Sequence, residues 1–263
     1  MAAGVGTGTV VHGAGWARHA LEIHHVDLPM RGLPPALEGL RVGFLTDLHL
    51  STLVPDGDVA RAVAMMNAER PDLVVLGGDY VSFADRQFMG PVADHLAALQ
   101  APWGVFGIIG NHDDERHMPA ELSHRGIEML LDARTDLVIR GERLALAGVK
   151  FWTRKRAEIE PVVAGAVAPV LMLAHDPRRI TEAAALGVGG VLAGHTHGGQ
   201  VVLPGLGAIA ARKFPVAYGR LTRGGTEMFV SRGVGTVYIP LRINCPPEVA
   251  VVTLRAPRRA TPP

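Results

Sequence analysis

Five short aliphatic runs, each stopping at a turn built from Asp, Asn, His or Gly, constrain this chain more than any other feature. Residues 41–46 lead into Asp47-Leu48-His49, and 72–76 into Gly78-Asp79. Residues 104–109 lead into Gly110-Asn111-His112-Asp113, 170–174 into His175-Asp176, and 188–193 into Gly194-His195-Thr196-His197-Gly198-Gly199-Gln200. Runs of this length are too short for buried helices, and near-continuous Val, Leu and Ile marks strands covered on both faces. Helical spacing follows the first run, with Val59, Ala62, Val63 and Met66 recurring within 56–70. Further helices are expected over 91–99, 119–130 and 177–186, the last with Asp176 as N-cap and Pro177 at its first position. Strand then helix, repeated, predicts an α/β fold with parallel pairing. The pattern changes at 137–139 and 144–149, which Arg140-Gly141-Glu142-Arg143 joins as a hairpin, so antiparallel pairing enters there. Two more strands are expected at 227–231 and 249–254.

Size and composition narrow the class. A chain of 263 residues with no Ser-rich or charge-rich linker fits one domain, expected over 41–256. Residues 1–40, interrupted by Pro29, Pro34 and Pro35, are expected to form an irregular extension packed on it, with a peripheral strand near 21–28. Residues 257–263 are expected to form a flexible tail. The 26 basic residues nearly balance 25 acidic ones, and aromatics make up 5 %, so neither nucleic-acid tracking nor base stacking is favoured. With Cys245 the only cysteine, an internal disulfide is excluded and any metal must be held by histidine and oxygen ligands. The first fifteen residues carry neither a signal-like apolar stretch nor a spanning helix. The expected location is therefore cytoplasmic, with association at a membrane surface left open because an export segment removed earlier would leave the same sequence.

Each motif alone is adequately explained by turn and cap chemistry. All five together, each just beyond the carboxyl end of a buried strand, place their side chains around one crevice. Such a cage suits two divalent cations about 3.5–4 Å apart, which neutralise a phosphate ester and activate water. A carboxylate must bridge ions held so closely, and Asp79 is the candidate. The donor set accepts manganese, iron or zinc.

This motif series resembles that of the calcineurin-like metallophosphoesterases: Asp-X-His, Gly-Asp, Gly-Asn-His-Asp, His and Gly-His-X-His, over about 41–254. Weaker strings are similar to a bacterial phosphodiesterase subgroup that includes the UDP-2,3-diacylglucosamine hydrolases. They are Leu33-Pro34, Gly198-Gly199-Gln200-Val201, Ser231-Arg232-Gly233-Val234-Gly235, Pro240-Leu241-Arg242 and Pro246-Pro247-Glu248. The resemblance implies a four-layer α/β/β/α sandwich of two mixed sheets. It implies one metal on Asp47, His49, Asp79 and His197, and a second on Asp79, Asn111, His175 and His195. It further implies a metal-bridging hydroxide as nucleophile, and His112 directed at the substrate with Asp113 orienting its ring.

The expected activity is that of a phosphodiesterase or pyrophosphate hydrolase acting on a small phosphate ester, nucleotide-linked or lipid-linked. A phosphomonoesterase and a non-catalytic metal-binding interaction module are the alternatives. The basic stretch 151–156 replaces an acidic segment expected of the subgroup and reads as a solvated loop in preference to a cleft rim. The apolar stretch 201–206 reads as core in preference to a lipid-accepting mouth, the feature that would support peripheral membrane contact. His12, His19, His24, His25, His95, His117 and His124 match no motif.

Overall fold

The computed structural model describes residue 13, residues 15–167 and residues 169–257. His12 and nearly all of the expected tail lie outside these residues. In chain order the elements are β1 (Glu22–Pro29), β2 (Arg41–Leu45), α1 (Asp56–Ala68), β3 (Leu73–Leu76), α2 (Met89–Leu96), β4 (Val105–Gly107), α3 (His117–Ser123), β5 (Glu128–Met129) and the hairpin β6 (Ala133–Ile139) and β7 (Glu142–Val149). There follow α4 (Arg156–Val163), β8 (Val170–Ala174), α5 (Ile180–Ala185), β9 (Gly190–Ala193), the small hairpin β10 (Val202–Leu203) and β11 (Gly207–Ala208), β12 (Gly219–Arg223), β13 (Thr226–Val230) and β14 (Glu248–Arg255).

Two six-stranded mixed sheets result, ordered β1-β14-β2-β3-β4-β5 and β12-β13-β9-β8-β7-β6. Strands β2 to β5 run parallel, as do β7, β8, β9 and β13. Antiparallel pairing enters where β14 meets β2, and in the β6/β7 and β12/β13 pairs.

Strand alternation builds the layers. Val42, Phe44, Leu73 and Val75 point between the sheets, where they meet Leu144, Leu146, Leu171, Leu173, Leu192 and Phe229. The intervening Val74 and Leu76 face outward onto α1 and α2 through Val59, Met66, Val92 and Leu96. On the far side Ala147, Met172 and Val191 meet Ile159, Ile180 and Ala183 of α4 and α5. This is the four-layer α/β/β/α arrangement. Each fully buried Leu or Phe contributes about 1.5–3 kcal/mol, so three continuous apolar clusters hold the strand tips rigidly. At Gly43 of β2 a Cβ would run into the sulfur of Met66, so glycine is what lets α1 lie close on the sheet.

Several expectations need correction. The segment 1–40 is not irregular throughout: all eight residues of β1 pair with β14 in parallel register, from Glu22 opposite Glu248 to Pro29 opposite Arg255. β1 is thus the edge strand of the first sheet. The helix expected over 119–130, with a turn at Gly126, stops at Ser123; the turn at Gly126 is present and leads into β5, which pairs with β4. The stretch 201–206 is not core. It forms the turn of the small hairpin, half-buried at Val202 and Leu203 and 56 % exposed at Leu206. Helix α4, which contains Pro161, and strand β12 are additions that the sequence pattern did not signal.

Candidate metal centre

The tips of β2, β3 and β4 from one sheet, and of β8 and β9 from the other, converge at one end of the sandwich. Asp47 and His49 follow β2, Asp79 follows β3, Asn111 and His112 follow β4, His175 follows β8, and His195 and His197 follow β9. Their carboxylates and imidazoles are brought together as two groups. Asp47, His49 and His197 form one, and Asp79, His175 and His195 the other, each offering donor atoms within 4.8 Å of one another. The groups adjoin: Asp79 Oδ2 is 3.4 Å from His49 Nε2 and 3.2 Å from His175 Nε2. Asp47 Oδ1 is 3.3 Å from His197 Nε2 and 3.8 Å from His175 Nε2.

The backbone is bent to achieve this. Five of the seven expected ligands, Asp47, His49, Asp79, His195 and His197, have φ between 50° and 71°. Asp and His tolerate that left-handed region better than most residues, yet it still costs about 1 kcal/mol each. Strain concentrated in this way marks a functional site. Glycine makes the approach of neighbouring tips possible: a Cβ at Gly110 would fall on the Asp79 carboxylate.

Hydrogen bonds orient the rings. His175 Nδ1 donates to the Gly77 carbonyl at 2.7 Å, and His197 Nδ1 to the Gly235 carbonyl at 3.3 Å. His49 Nδ1 lies 3.2 Å from Ser82 Oγ, whose own proton is directed at the His49 carbonyl. With the Nδ1 protons so assigned, the Nε2 atoms present lone pairs inward. Those of His49 and His197 face each other at 3.1 Å, an arrangement that repels unless a cation shares them. Among the described residues Asn111 Oδ1 is likewise buried with no hydrogen-bond partner, and so is His175 Nε2, which is close to Asp79 but not aligned to bond with it. Inward lone pairs, an orphaned amide oxygen and two carboxylates are a donor set that fits divalent cations.

The electrostatics agree. Burial holds His197 well below the usual imidazole range and brings His195 down to about 3, so both are neutral, as metal binding requires. Burial also opposes charge on His175, but Asp79 and Asp47 outweigh it and raise its pKa to about 10. Burial works against ionisation of Asp79 as well, yet His175 and His49 hold its carboxyl well below the ordinary range.

His112 sits beside the second group, its backbone N–H donating to Asp79 Oδ1 at 2.8 Å. Its Nδ1 accepts from the Phe83 backbone N–H at 3.3 Å, which leaves the neutral ring its proton on Nε2. Burial lowers its pKa. The expected role of Asp113 is overturned. Its carboxylate touches no imidazole and accepts instead from the backbone N–H groups of Asp79, Tyr80 and Gly110, each at 2.8 Å. It ties the tip of β3 to that of β4. Burial and then Asp79 raise its pKa to about 6.

The basic stretch is not a solvated loop throughout, because Phe151, Trp152 and Arg154 line the cleft mouth with His112 and His195. Reading the sequence missed several supporting residues: Ser82, the carbonyls of Gly77 and Gly235, and Arg242. The Arg242 side chain is completely buried and donates to the carbonyls of Arg232, Gly233 and Gly235 at 2.8, 3.1 and 2.6 Å. The strings Gly233-Val234-Gly235 and Pro240-Leu241-Arg242 were the available signal. The unmatched His19, His24, His25, His95 and His117 pair with Asp58, Glu248, Glu69, Asp56 and Asp114 respectively.

A two-sheet α/β sandwich that gathers Asp, Asn and His at its strand tips defines the class of metallophosphoesterases. The profile described as Calcineurin-like phosphoesterase matches residues 40–199, and the chain belongs to that family of metal-dependent hydrolases. It is similar to phosphodiesterase YaeI of Escherichia coli (strain K12), 33 % identical over 225 residues that cover 81 % of this chain and 82 % of the relative. It is similar also to the uncharacterized metallophosphoesterase YkuE of Bacillus subtilis (strain 168), 28 % identical over 93 % of this chain and 90 % of that one. Among solved structures the NAD nucleotidase NadN of Haemophilus influenzae shares the fold at a TM-score of 0.53 and 14 % identity, over 74 % of this chain and 50 % of the other. Among the described residues no helix is long and apolar enough to cross a membrane.

Proposed function

We propose that the protein is a phosphodiesterase or pyrophosphate hydrolase that works with two divalent cations. One is held by Asp47, His49, Asp79 and His197, and the other by Asp79, Asn111, His175 and His195. The observation that carries this reading is the position of Asp79 between the two donor groups, within 3.4 Å of an imidazole nitrogen of each. When bound, such a pair of cations neutralises phosphoryl oxygens and lowers the pKa of water.

The protein's own residues do the rest. His112 Nε2–H, kept neutral by burial, donates to a phosphoryl oxygen as charge builds on it, a role that suits a ring disinclined to become imidazolium. Asp113 fixes the spacing of the β3 and β4 tips, and therefore of Asp79 relative to Asn111. A diester is favoured over a monoester because there is room beyond the donor groups, in adjoining cavities of about 330 and 470 Å³ that share Asn111, His112 and His195. The relative named a phosphodiesterase supports the same choice.

The test is turnover of bis(p-nitrophenyl) phosphate and p-nitrophenyl phosphate with added manganese. Preferential diester cleavage that Asp79→Asn abolishes is the expected result. Normal turnover by Asp79→Asn sinks the mechanism, and preference for the monoester sinks the diesterase reading. A non-catalytic module would bind manganese and cleave neither ester.

A further inference from the structure

The outer cleft has two chemically different walls. One carries Arg154 and Lys213, and among the described residues neither makes an ion pair with a carboxylate. Both cations are held over aromatic rings. The Arg154 guanidinium lies 4.8 Å from the Trp152 ring and 5.3 Å from Phe151, and Lys213 Nζ lies 5.2 Å from Phe214. Arg178 lines the same cavity but is already neutralised by Asp176 at 2.6 Å. Among the described residues no carboxylate lines this cavity of about 470 Å³.

A second surface of the same cavity is formed by two aromatic rings that carry no cation. Phe83 and Tyr238 meet edge to face at 5.5 Å, and each also packs against the His112 ring, at 5.0 and 5.7 Å. They are 61 % and 70 % exposed, an unfavourable place for rings of this size. Both have positive φ, 55° and 61°, in the left-handed region where a bulky residue is a genuine outlier. Exposed aromatic rings fixed beside His112 by this backbone stand where a flat group of a ligand can stack on them.

We propose that the cleft sorts the two arms of a phosphodiester. A planar aromatic group rests on Phe83 and Tyr238, and a second anionic group on the other arm is held by Arg154 and Lys213. The inference rests on the diesterase reading and adds a specificity for diesters that bear an extra negative charge. Arg154 and Lys213 act on binding and not on the chemical step.

Two probes differ by a single phosphate: thymidine 5′-(p-nitrophenyl phosphate) and its 3′-phosphorylated form. The expected result is a kcat/KM at least about tenfold higher for the 3′-phosphorylated ester, as one charge-assisted contact provides. In the double variant Arg154→Gln, Lys213→Gln that ratio falls to about one, and a ratio cancels any general loss of activity. Equal rates in the wild-type protein, or a ratio that survives in the variant, overturn the proposal.

Calorimetry separates this outcome from failure of the diesterase reading. Thymidine 3′,5′-bisphosphate binding about tenfold tighter than thymidine 5′-phosphate, with the difference lost in the variant, supports the anionic wall even in a protein that cleaves no diester. Equal affinity overturns it. For the aromatic wall, the probe is phenylphosphonate, a ring on a single phosphoryl group, and Phe83→Gly and Tyr238→Gly should each weaken its binding roughly tenfold without lowering the melting temperature. Unchanged affinity overturns that half.

Discussion

The two donor groups stand side by side but live in different surroundings. Asp47, His49 and His197 are 0, 0 and 4 % exposed and are backed by Ser82, Gly235 and, behind these, Arg242. Of Asp79, His175 and His195, the last is half-buried and opens on the cleft beside Asn111 and His112. The deep group is anchored by Ser82, by the Gly235 carbonyl and by the buried guanidinium of Arg242, while the outer group has the Gly77 carbonyl behind His175. The outer group is bounded by aromatic rings, with Phe151 and Phe214 each 5.2 Å from His195. The difference teaches that access is uneven within a buried site: Asp79 and His175, each 1 % exposed, are as deeply set as Asp47 and His49, and His195 is the residue that opens outward.

The largest effect should come from the residue that belongs to both. Asp79→Asn removes the shared carboxylate, and kcat/KM on bis(p-nitrophenyl) phosphate should fall on the order of a thousandfold or more. Metal content measured by mass spectrometry should fall for both groups. Loss confined to one ion would break the picture of a shared ligand. Next, His112→Ala should lower kcat by about a hundredfold to a thousandfold while metal content stays at the wild-type level. If that variant loses metal as well, His112 belongs among the ligands.

A third test acts on the backing of the deep group through acid. Burial disfavours the Glu248 carboxylate, but the His24 hydrogen bond and Arg232 outweigh it and bring its pKa down to about 2. Because the folded value is depressed, its contribution to stability is complete above about pH 4.5 and is lost as pH falls toward 2. That amounts to roughly 3 kcal/mol. Glu248 also accepts from the Arg232 backbone N–H at 2.9 Å, at the start of the 232–235 loop that supports His197. Urea titrations should therefore show Glu248→Gln less stable than wild type at pH 6, with the gap closing below pH 3. A gap independent of pH would show that charge is not the cause. The smallest effect is expected for Ser82→Ala, which frees His49 Nδ1. Manganese affinity of the deep group should weaken about tenfold, measured by chelator competition, with the outer group unaffected.

The half of this contrast that involves the side chains gathered at the strand tips was legible in the sequence, because chemistry-bearing residues stood at the ends of apolar runs whose length permitted only strands. The half that involves their support was not. Gly77 and Gly235 act through carbonyls, which every residue possesses, so no residue type announces them. Asp113 carried the residue type expected of a ring-orienting carboxylate, but the three N–H groups it satisfies are visible only once β3 and β4 are side by side. Strand β1 was legible as a strand but not as part of the sheet, since its partner lies at the other end of the chain. Helix α4 was obscured by Pro161 and by having only eight residues. Phe83 and Tyr238, distant in sequence and unremarkable in type, meet only through positive φ values that periodicity does not encode.

The parallel pairing of β1 with β14 has a practical consequence for anyone cutting the chain to its family-matching portion. Starting a shortened version at residue 41 would strip the border from the first sheet and leave β14, whose Val249, Val251 and Val252 are fully buried here, offering unpaired N–H and carbonyl groups to other molecules. Such a fragment would keep every candidate ligand side chain and still be prone to clump, so an expression boundary ahead of Glu22 is the one that respects the sheet.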